Sequence, residues 1–305
     1  MGRHRLFNQR MLQKTLHGIE GDIKFHEPLA TYTSLQIGGP ADVLVAPSRR
    51  EDLCRLVRQA KTYNVPVLVL GGTNVLVREH GVRGVVVQLS HLTRMKIELK
   101  HMLYAEAGIR MPTLLGYAIR HSLSGLEWAA GIPGTVGGGV VTNAGTKLGQ
   151  MSDVLKAIEV VTDTGRIKRV EAEDLSFAYR YARVPKRVIL GAWFQLALAT
   201  REHVQARTKD YLRYRKQTQP LTLPNAGSIF KNPRGTSAGS LIEETGLKGL
   251  QVGDAQVSSK HGNFIVNTGR AGAADVIRLI RNVRRIVFAK TGVRLQLELK
   301  IVGES

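Results

Sequence analysis

The residue types best suited to chemistry gather in a few short stretches. Asn225-Ala226-Gly227-Ser228-Ile229-Phe230-Lys231-Asn232-Pro233 sets a hydroxyl, an ammonium and two amides beside small residues. A serine next to glycine can present its hydroxyl to a ligand, and Lys231 and Asn232 offer donors to phosphate or amide oxygens. The same residues also read as a turn with an Asx cap. Two glycine stretches lie upstream. Gly131–Gly139 (GIPGTVGGG) holds five glycines, and Gly71-Gly72-Thr73-Asn74 is shorter. Without Cβ atoms, their N–H groups can approach a diphosphate closely, and two such stretches point to a nucleotide or dinucleotide. The bland alternative is tight turns in a glycine-rich chain.

Other patterns carry less. Neither glycine stretch matches G-x-x-x-x-G-K-[ST], nor a strand-to-helix G-x-G-x-x-G with a following acid, so P-loop hydrolysis is excluded. Gly235-Thr236-Ser237-Ala238-Gly239 fits the form of a nucleophile elbow, but Lys231–Arg234 before it cannot be the apolar strand that motif needs. The nine histidines show no zinc spacing. His261 alone sits in a polar cluster, Ser259–Asn263, which also reads as a surface turn. Glu298 and Lys300 stand two apart on the polar face of an alternating segment, either a solvated face or a cleft wall. Arg180, between Tyr179 and Tyr181, reads as easily as cation–π packing.

The chain that must position these residues has 305 residues, enough for two domains or three small ones. With 43% hydrophobic and 22% charged residues it is neither disordered nor fibrous. Its 44 basic and 24 acidic residues leave +20, which calls for anionic partners or serves only solubility. Cys54 is the single cysteine, so no internal disulfide forms and a reducing compartment fits. With no long apolar run and no signal-type N-terminus, a cytoplasmic location with no membrane association is expected.

Ser48-Arg49-Arg50-Glu51 reads as a capping box ahead of a helix carrying Leu53, Leu56, Val57 and Ala60. Strands are expected at Val65–Leu70, Val75–Val77, Val85–Leu89, Val154–Val161, Arg166–Val170 and Val188–Ala199, with a helix from Pro112. Gly131–Gly139 is expected to be neither helix nor regular strand. Arg201–Thr218 reads as a charged helix crossing into a second unit. There follow a short helix at Gly239–Thr245, a strand at Asn263–Asn267, a helix over Ala271–Lys290 ended by Gly292, and a cleanly alternating last strand, Val293–Ile301.

In order and combination, these segments resemble the UDP-N-acetylenolpyruvoylglucosamine reductase family. The resemblance runs from about Pro28 to the end. It is carried by Thr33–Ala41, Gly72–Val77, Gly125–Gly145, Tyr179-Arg180, Gln219–Pro233, Ala238–Gly249, Ala255–Gly269 and the closing GVRLQLELKIVGE. It implies an α+β protein: an N-terminal segment (1–30), a two-subdomain FAD-binding fold of the vanillyl-alcohol-oxidase type (31–200, split near 88), and a substrate domain (201–305). The implied activity is NADPH-dependent, FAD-mediated reduction of the enolpyruvyl ether of UDP-N-acetylglucosamine. Ser228 would protonate C2, with Arg180 and Glu298 as the other catalytic residues. FAD contacts would fall on Gly71, Gly72, Thr73, Asn74, Gly131, Gly134, Thr135, Gly137, Gly138, Asn143 and Gly145. Substrate contacts would fall on Lys231, Asn232, Lys260, His261 and Lys300. The chain departs from the family pattern in its first glycine loop, which is one residue short or has Leu70 at the first Gly, in Ala182 for a common Ser, and in Lys300 for a frequent Arg. Between Arg180 and Ala199 it has no room for a tyrosine-bearing loop, which places it in the shorter subclass. The alternatives are an FAD-dependent oxidase on the same cofactor fold and a basic nucleic-acid-binding protein. Dispersed Lys and Arg, 6% aromatics and the lack of a recognised motif weigh against the second.

Overall fold

The computed structural model describes residues 8–71, 73–98, 101–184 and 188–304. The chain opens with α1 (Gln9–Leu16), then β1 (Gly21–Pro28) and β2 (Pro40–Pro47), an antiparallel pair. Helix α2 (Arg50–Thr62) crosses to β3 (Val67–Val69), and β4 (Val75–Val77) precedes β5 (Val82–Val87). The first sheet has the order β1-β2-β5-β3, with β5 parallel to both β2 and β3. Leu53, Leu56, Val57 and Ala60 of α2 are buried as their spacing requires. The expected capping box is absent, however: Arg49 occupies the N-cap and no side chain caps the helix.

A second sheet follows. β6 (Met95–Glu98) and β7 (Met102–Glu106) lead to α3 (Met111–Arg120), which has Pro112 in its first turn, and β8 (Leu123–Ser124). Helix α4 (Val136–Val141) and the small hairpin of β9 (Gly145–Thr146) and β10 (Gly149–Gln150) come next. After β11 (Leu155–Val161) and β12 (Ile167–Glu171), β13 (Ser176–Ala178) and β14 (Tyr181–Arg183) make a second hairpin. β15 (Val188–Gln195) completes the sheet β12-β11-β15-β7-β6, and β16 (Ala197–Leu198) pairs with β8. Arg50 of α2 pairs with Glu159 of β11, which also accepts from the Tyr104 hydroxyl of β7 at 2.8 Å. That cluster bolts the first sheet's helix to the second sheet.

Helix α4 corrects the expectation for Gly131–Gly139. Thr135 caps it, accepting from the Gly138 N–H at 3.3 Å. Its glycines lower helix propensity but let it seat against the sheet, because a Cβ on Gly137 would lie 3.0 Å from that of Ala107. Close packing overrides propensity here.

The remainder begins with α5 (Arg201–Thr218), then β17 (Asn225–Ser228), α6 (Ala238–Glu244), β18 (Gln251–Val252), β19 (Ala255–Val257), β20 (Phe264–Asn267) and α7 (Ala273–Thr291). The sheet order is β17-β20-β19-β18, and Gly292 ends α7 at φ 72°. The last element, β21 (Lys300–Val302), runs parallel to β4. The long alternating strand expected at Val293–Ile301 is therefore only partly formed. Leu295 and Leu299 are buried as the alternation predicts, but the chain before β21 is irregular except for one bridge, Leu297 to Phe230. It is drawn away from regular pairing because it spans two different partners. One hydrophobic core draws on residues 12–196, with Tyr211 and Leu212 of α5 packed against it. A second joins residues 226–299 to Leu35, Ile37 and Leu76. No helix among the described residues is long and apolar enough to cross a membrane.

Candidate active site

The two glycine loops meet. A Cβ placed on Gly71 would lie 3.4 Å from the Cα of Gly138, so no more than a methyl group's room separates the two backbones. They line a cavity of about 600 Å³ together with Thr73, Asn74, Gly134, Thr135, Gly137 and, from the far end of the chain, Lys300. Among the described residues, the backbone N–H groups of Gly71, Thr73 and Asn74 make no hydrogen bond within the protein. Leu68, Val69, Val141 and Ile189 give the cavity an apolar side, on which Val69 and Val141 remain more than a third exposed. Unengaged donors beside exposed apolar surface suit a diphosphate joined to a flat ring, so the donor set fits a flavin dinucleotide.

The expected cofactor residues separate on this geometry. Gly72 lies outside the described residues. Gly131, Asn143 and Gly145 stand outside the cavity lining. Gly131, at φ 72°, faces helix α5: a Cβ there would come within 3.1 Å of Leu212. Gly145 pairs with Gln150 in the β9–β10 hairpin. Asn143 is buried, at φ 42°, and its side chain is fully engaged. It donates to Gln150 and to the Ala178 carbonyl at 3.3 Å and accepts from the Ser152 N–H at 3.0 Å. Ala178 is the last residue of β13, so Asn143 ties the hairpin carrying Arg180 to the end of α4.

Arg180 sits at the tip of that hairpin at φ 57°, a backbone conformation that costs a non-glycine residue about 1 kcal/mol or more. Its guanidinium lies over the Tyr179 ring at 5.1 Å, the packing its neighbours predicted, and its Nε also pairs with Glu298 Oε1 at 3.1 Å. Burial pushes the Glu298 carboxyl above the usual carboxylate range, against the opposing pull of Arg180 and Lys231. The net direction favours a neutral acid beside two cations.

Ser228 ends β17 opposite Phe264, just after Gly227 at φ 74°. Its hydroxyl makes no hydrogen bond among the described residues. The loop behind it is fixed by Asn263, which sequence reasoning passed over. Buried to 3% exposure, Asn263 accepts from the Phe230 N–H at 2.9 Å and donates to its carbonyl at 2.8 Å. An Asn before a strand gives no sequence signal for a partner 33 positions away. The last segment then stitches the parts together. Gln296 accepts from Lys231 N–H at 2.8 Å, Glu298 N–H donates to Ile229 at 2.9 Å, and Lys300 N–H donates to Asn74 at 2.9 Å. Two residues of extended chain, about 7 Å, thus separate Glu298 from a residue lining the glycine-loop cavity.

Other expected substrate residues have structural partners. The Asn232 amide oxygen accepts from Ala238 N–H at the start of α6, and the Lys260 ammonium donates to the Lys216 carbonyl. His261 stacks on Phe264 at 4.8 Å and accepts at Nδ1 from Asn263 N–H; burial, then Lys248, lowers its pKa. Ser237 of the elbow-like pattern caps α6, accepting from Ser240 N–H at 3.0 Å. No group of three or more His, Cys, Asp or Glu among the described residues comes together to hold a metal.

Two sheets tied by a helix, with two glycine loops side by side at one cavity, form an FAD-binding fold that carries an additional α+β unit. Residues 41–171 match the FAD binding domain model. Residues 219–302 match the C-terminal domain of UDP-N-acetylenolpyruvoylglucosamine reductase. The reductase of Syntrophus aciditrophicus is 46% identical over 292 residues, 94% of each chain. That of Caldanaerobacter subterraneus subsp. tengcongensis is 42% identical over 93% of this chain and 95% of its own. The crystal structure of the Thermus caldophilus UDP-N-acetylenolpyruvylglucosamine reductase superposes with a TM-score of 0.81 at 40% identity, covering 93% of this chain and 100% of that one. The chain belongs to the UDP-N-acetylenolpyruvoylglucosamine reductase family and is an FAD-dependent oxidoreductase that uses NADPH. The match over 219–302 sets aside both the oxidase and the nucleic-acid alternatives.

Proposed function

We propose that this chain reduces the enolpyruvyl ether of UDP-N-acetylglucosamine to UDP-N-acetylmuramate, a step of peptidoglycan precursor synthesis, in the cytoplasm, with Ser228, Arg180 and Glu298 as its catalytic residues. The observation that carries this reading is the C-terminal segment, which hydrogen-bonds the Ser228 loop at one end and the glycine-loop cavity at the other with Glu298 between them. FAD, when bound, carries hydride from NADPH to C3 of the enolpyruvyl group. Hydride addition to an enol ether next to a carboxylate drives negative charge into that carboxylate. Arg180, paired through Nε, keeps its remaining N–H groups for that charge. Glu298, held toward its neutral form, donates to the same carboxylate where a carboxylate anion would repel it. A serine hydroxyl is far too weak an acid to ionise in water, but it can hand its proton to a carbanion-like C2 held within reach. The free hydroxyl of Ser228 suits that transfer.

The division at about residue 200, with the cofactor unit split near 88, is part of this reading. It is supported by the second core, built mainly from residues 226–299. Lys231 serves as a substrate contact through its place beside Glu298. Asn232, Lys260 and His261 shape the same wall through their backbone partners. Lys300, at the cavity, lies nearer the cofactor loops. The test is spectroscopic. The purified protein should be yellow, bleach anaerobically with NADPH, and recover its colour when the enolpyruvyl nucleotide is added. Protein that stays colourless with excess FAD would end this reading.

A further inference from the structure

Helix α7 carries a charge pattern that its own packing does not explain. Val276, Ile280, Val283 and Val287 face the core. Arg278, Arg281 and Arg285 fall at i, i+3 and i+7 on the opposite side, with Arg284 beside them. All four arginines are exposed. Among the described residues none of them takes part in an ion pair, a side-chain hydrogen bond or a ring contact. Asp275, the single acid of the helix, lies in its first turn and accepts from the Gly272 N–H at 3.0 Å. The neighbouring α6 offers only Glu243, already paired with Lys248 at 2.6 Å, and Glu244.

Like charges at i, i+3 and i, i+4 weaken a helix, and nothing inside the fold repays them here. The helix dipole favours cations only in the last turn, where Lys290 sits, so it does not account for arginines further back. Helices α2 and α5 differ: they place Glu51 and Asp52, or Glu202 and Asp210, among their basic residues. At the end of the stripe Phe288 is 41% exposed, one turn after Arg284, and the Arg294 guanidinium lies 4.5 Å from its ring. The face from Arg278 to Phe288 is about 15 Å long. A plane of anionic headgroups can engage every guanidinium of such a straight, convex face at once, while an aromatic ring at its border settles at headgroup level. An acidic protein would need a concave complement to make the same contacts. The apolar side of α7 is spent on the core, so the helix can lie on a bilayer without sinking into it.

We propose that the outer face of α7, Arg278 to Phe288 with Arg294, is a docking surface for an anionic phospholipid membrane. The contact is peripheral. It needs neither a signal sequence nor a spanning helix, which the described residues lack, and it therefore amends the expectation of no membrane association. It stands apart from the reductase reading, since none of these residues belongs to the site.

The experiment is co-sedimentation of the full-length, FAD-loaded protein with vesicles of phosphatidylcholine alone or mixed with phosphatidylglycerol, at about 0.1 M salt. Wild-type protein should partition onto the mixed vesicles and not onto phosphatidylcholine. Each arginine at an anionic surface strengthens partitioning about fivefold, so joint Arg278→Gln, Arg281→Gln, Arg284→Gln and Arg285→Gln should weaken it about a hundredfold or more. A control removes the same charge elsewhere on the surface, through Arg58→Gln, Arg120→Gln, Arg166→Gln and Arg201→Gln. It should weaken partitioning about tenfold less than the α7 variant does. Phe288→Ala should weaken it severalfold with all charge kept. Equal losses in the α7 variant and the control would make the attraction diffuse and overturn the proposal, as would wild-type protein that ignores the mixed vesicles. Binding to polyuridylate but not to vesicles, lost in the α7 variant, would overturn it in favour of a nucleic-acid surface. Should the fourfold α7 variant fail to fold, Arg281→Gln with Arg285→Gln faces the same comparison against Arg58→Gln with Arg166→Gln.

Discussion

At the scale of single residues, the site separates groups that meet the substrate from groups that hold them there. Ser228 is of the first kind. Ser228→Ala should leave flavin reduction by NADPH within about twofold and slow reoxidation by the enolpyruvyl nucleotide by about a hundredfold or more, read in anaerobic stopped-flow half-reactions. Equal slowing of both halves would remove it as the proton donor. Glu298 adds a pH test. Its carboxyl is raised in the folded protein, so its contribution to stability is complete below the ordinary carboxylate range and is lost as pH rises through the raised value. Glu298→Gln cannot ionise, so its Tm relative to wild type should be higher at pH 7 than at pH 4, while turnover falls more than FAD retention. A Tm difference that does not change with pH would refute the burial account. Asn143 and Asn263 are of the second kind. The sequence marks Asn143 as part of a glycine-rich motif, but its partners, Ala178 and Ser152, are visible only once the chain is folded.

At the scale of elements, sequence pattern located five of the seven α-helices among the described residues, missing α1 and α4, but could not assign pairing. Arg201–Thr218 and the burial of Leu53, Leu56 and Val57 followed from composition and spacing alone. Helix α4 did not, because glycine-rich sequence argues against helix until a sheet is present for it to approach. The last segment showed alternation without showing that its two ends serve different partners. β21 contacts β4 through backbone pairing, so the element should matter more than its side chains. A chain ending at Leu299 should lose much of its FAD, seen as a fall in the ratio of flavin to protein absorbance. Lys300→Ala, which keeps the backbone bonds, should retain most of it. Equal flavin loss in the two variants would move the effect from the strand to the lysine. Asn263→Ala acts on another element, leaving the buried N–H and carbonyl of Phe230 without partners. It should lower stability by about 2–4 kcal/mol in denaturant unfolding, and a loss under 1 kcal/mol would mean that the loop relaxes to recover both bonds.

At the scale of the whole molecule, the order of motifs made the family legible, since each piece alone was common but their succession was not. The contact between the chain's end and residues 75–77 lay beyond that reading, because no local pattern names a partner some 225 positions away. The charge of +20 also takes its meaning only at this scale. FAD, NADPH and the nucleotide sugar all carry phosphates, and Arg180 and Lys231 both lie near Glu298, whose carboxyl burial pushes above the usual carboxylate range. A positive field around such a site draws anions into it and speeds their capture, an effect that salt screens. Raising ionic strength from about 50 to 500 mM should therefore lower kcat/KM for NADPH and for the enolpyruvyl nucleotide by about threefold to tenfold, with kcat changing far less. Capture is a diffusional event outside the site, while turnover of bound complexes occurs where solvent ions do not reach. Flat kcat/KM values across that range would leave the surplus charge a matter of solubility alone, and parallel falls in kcat would locate the salt effect in the bound complex.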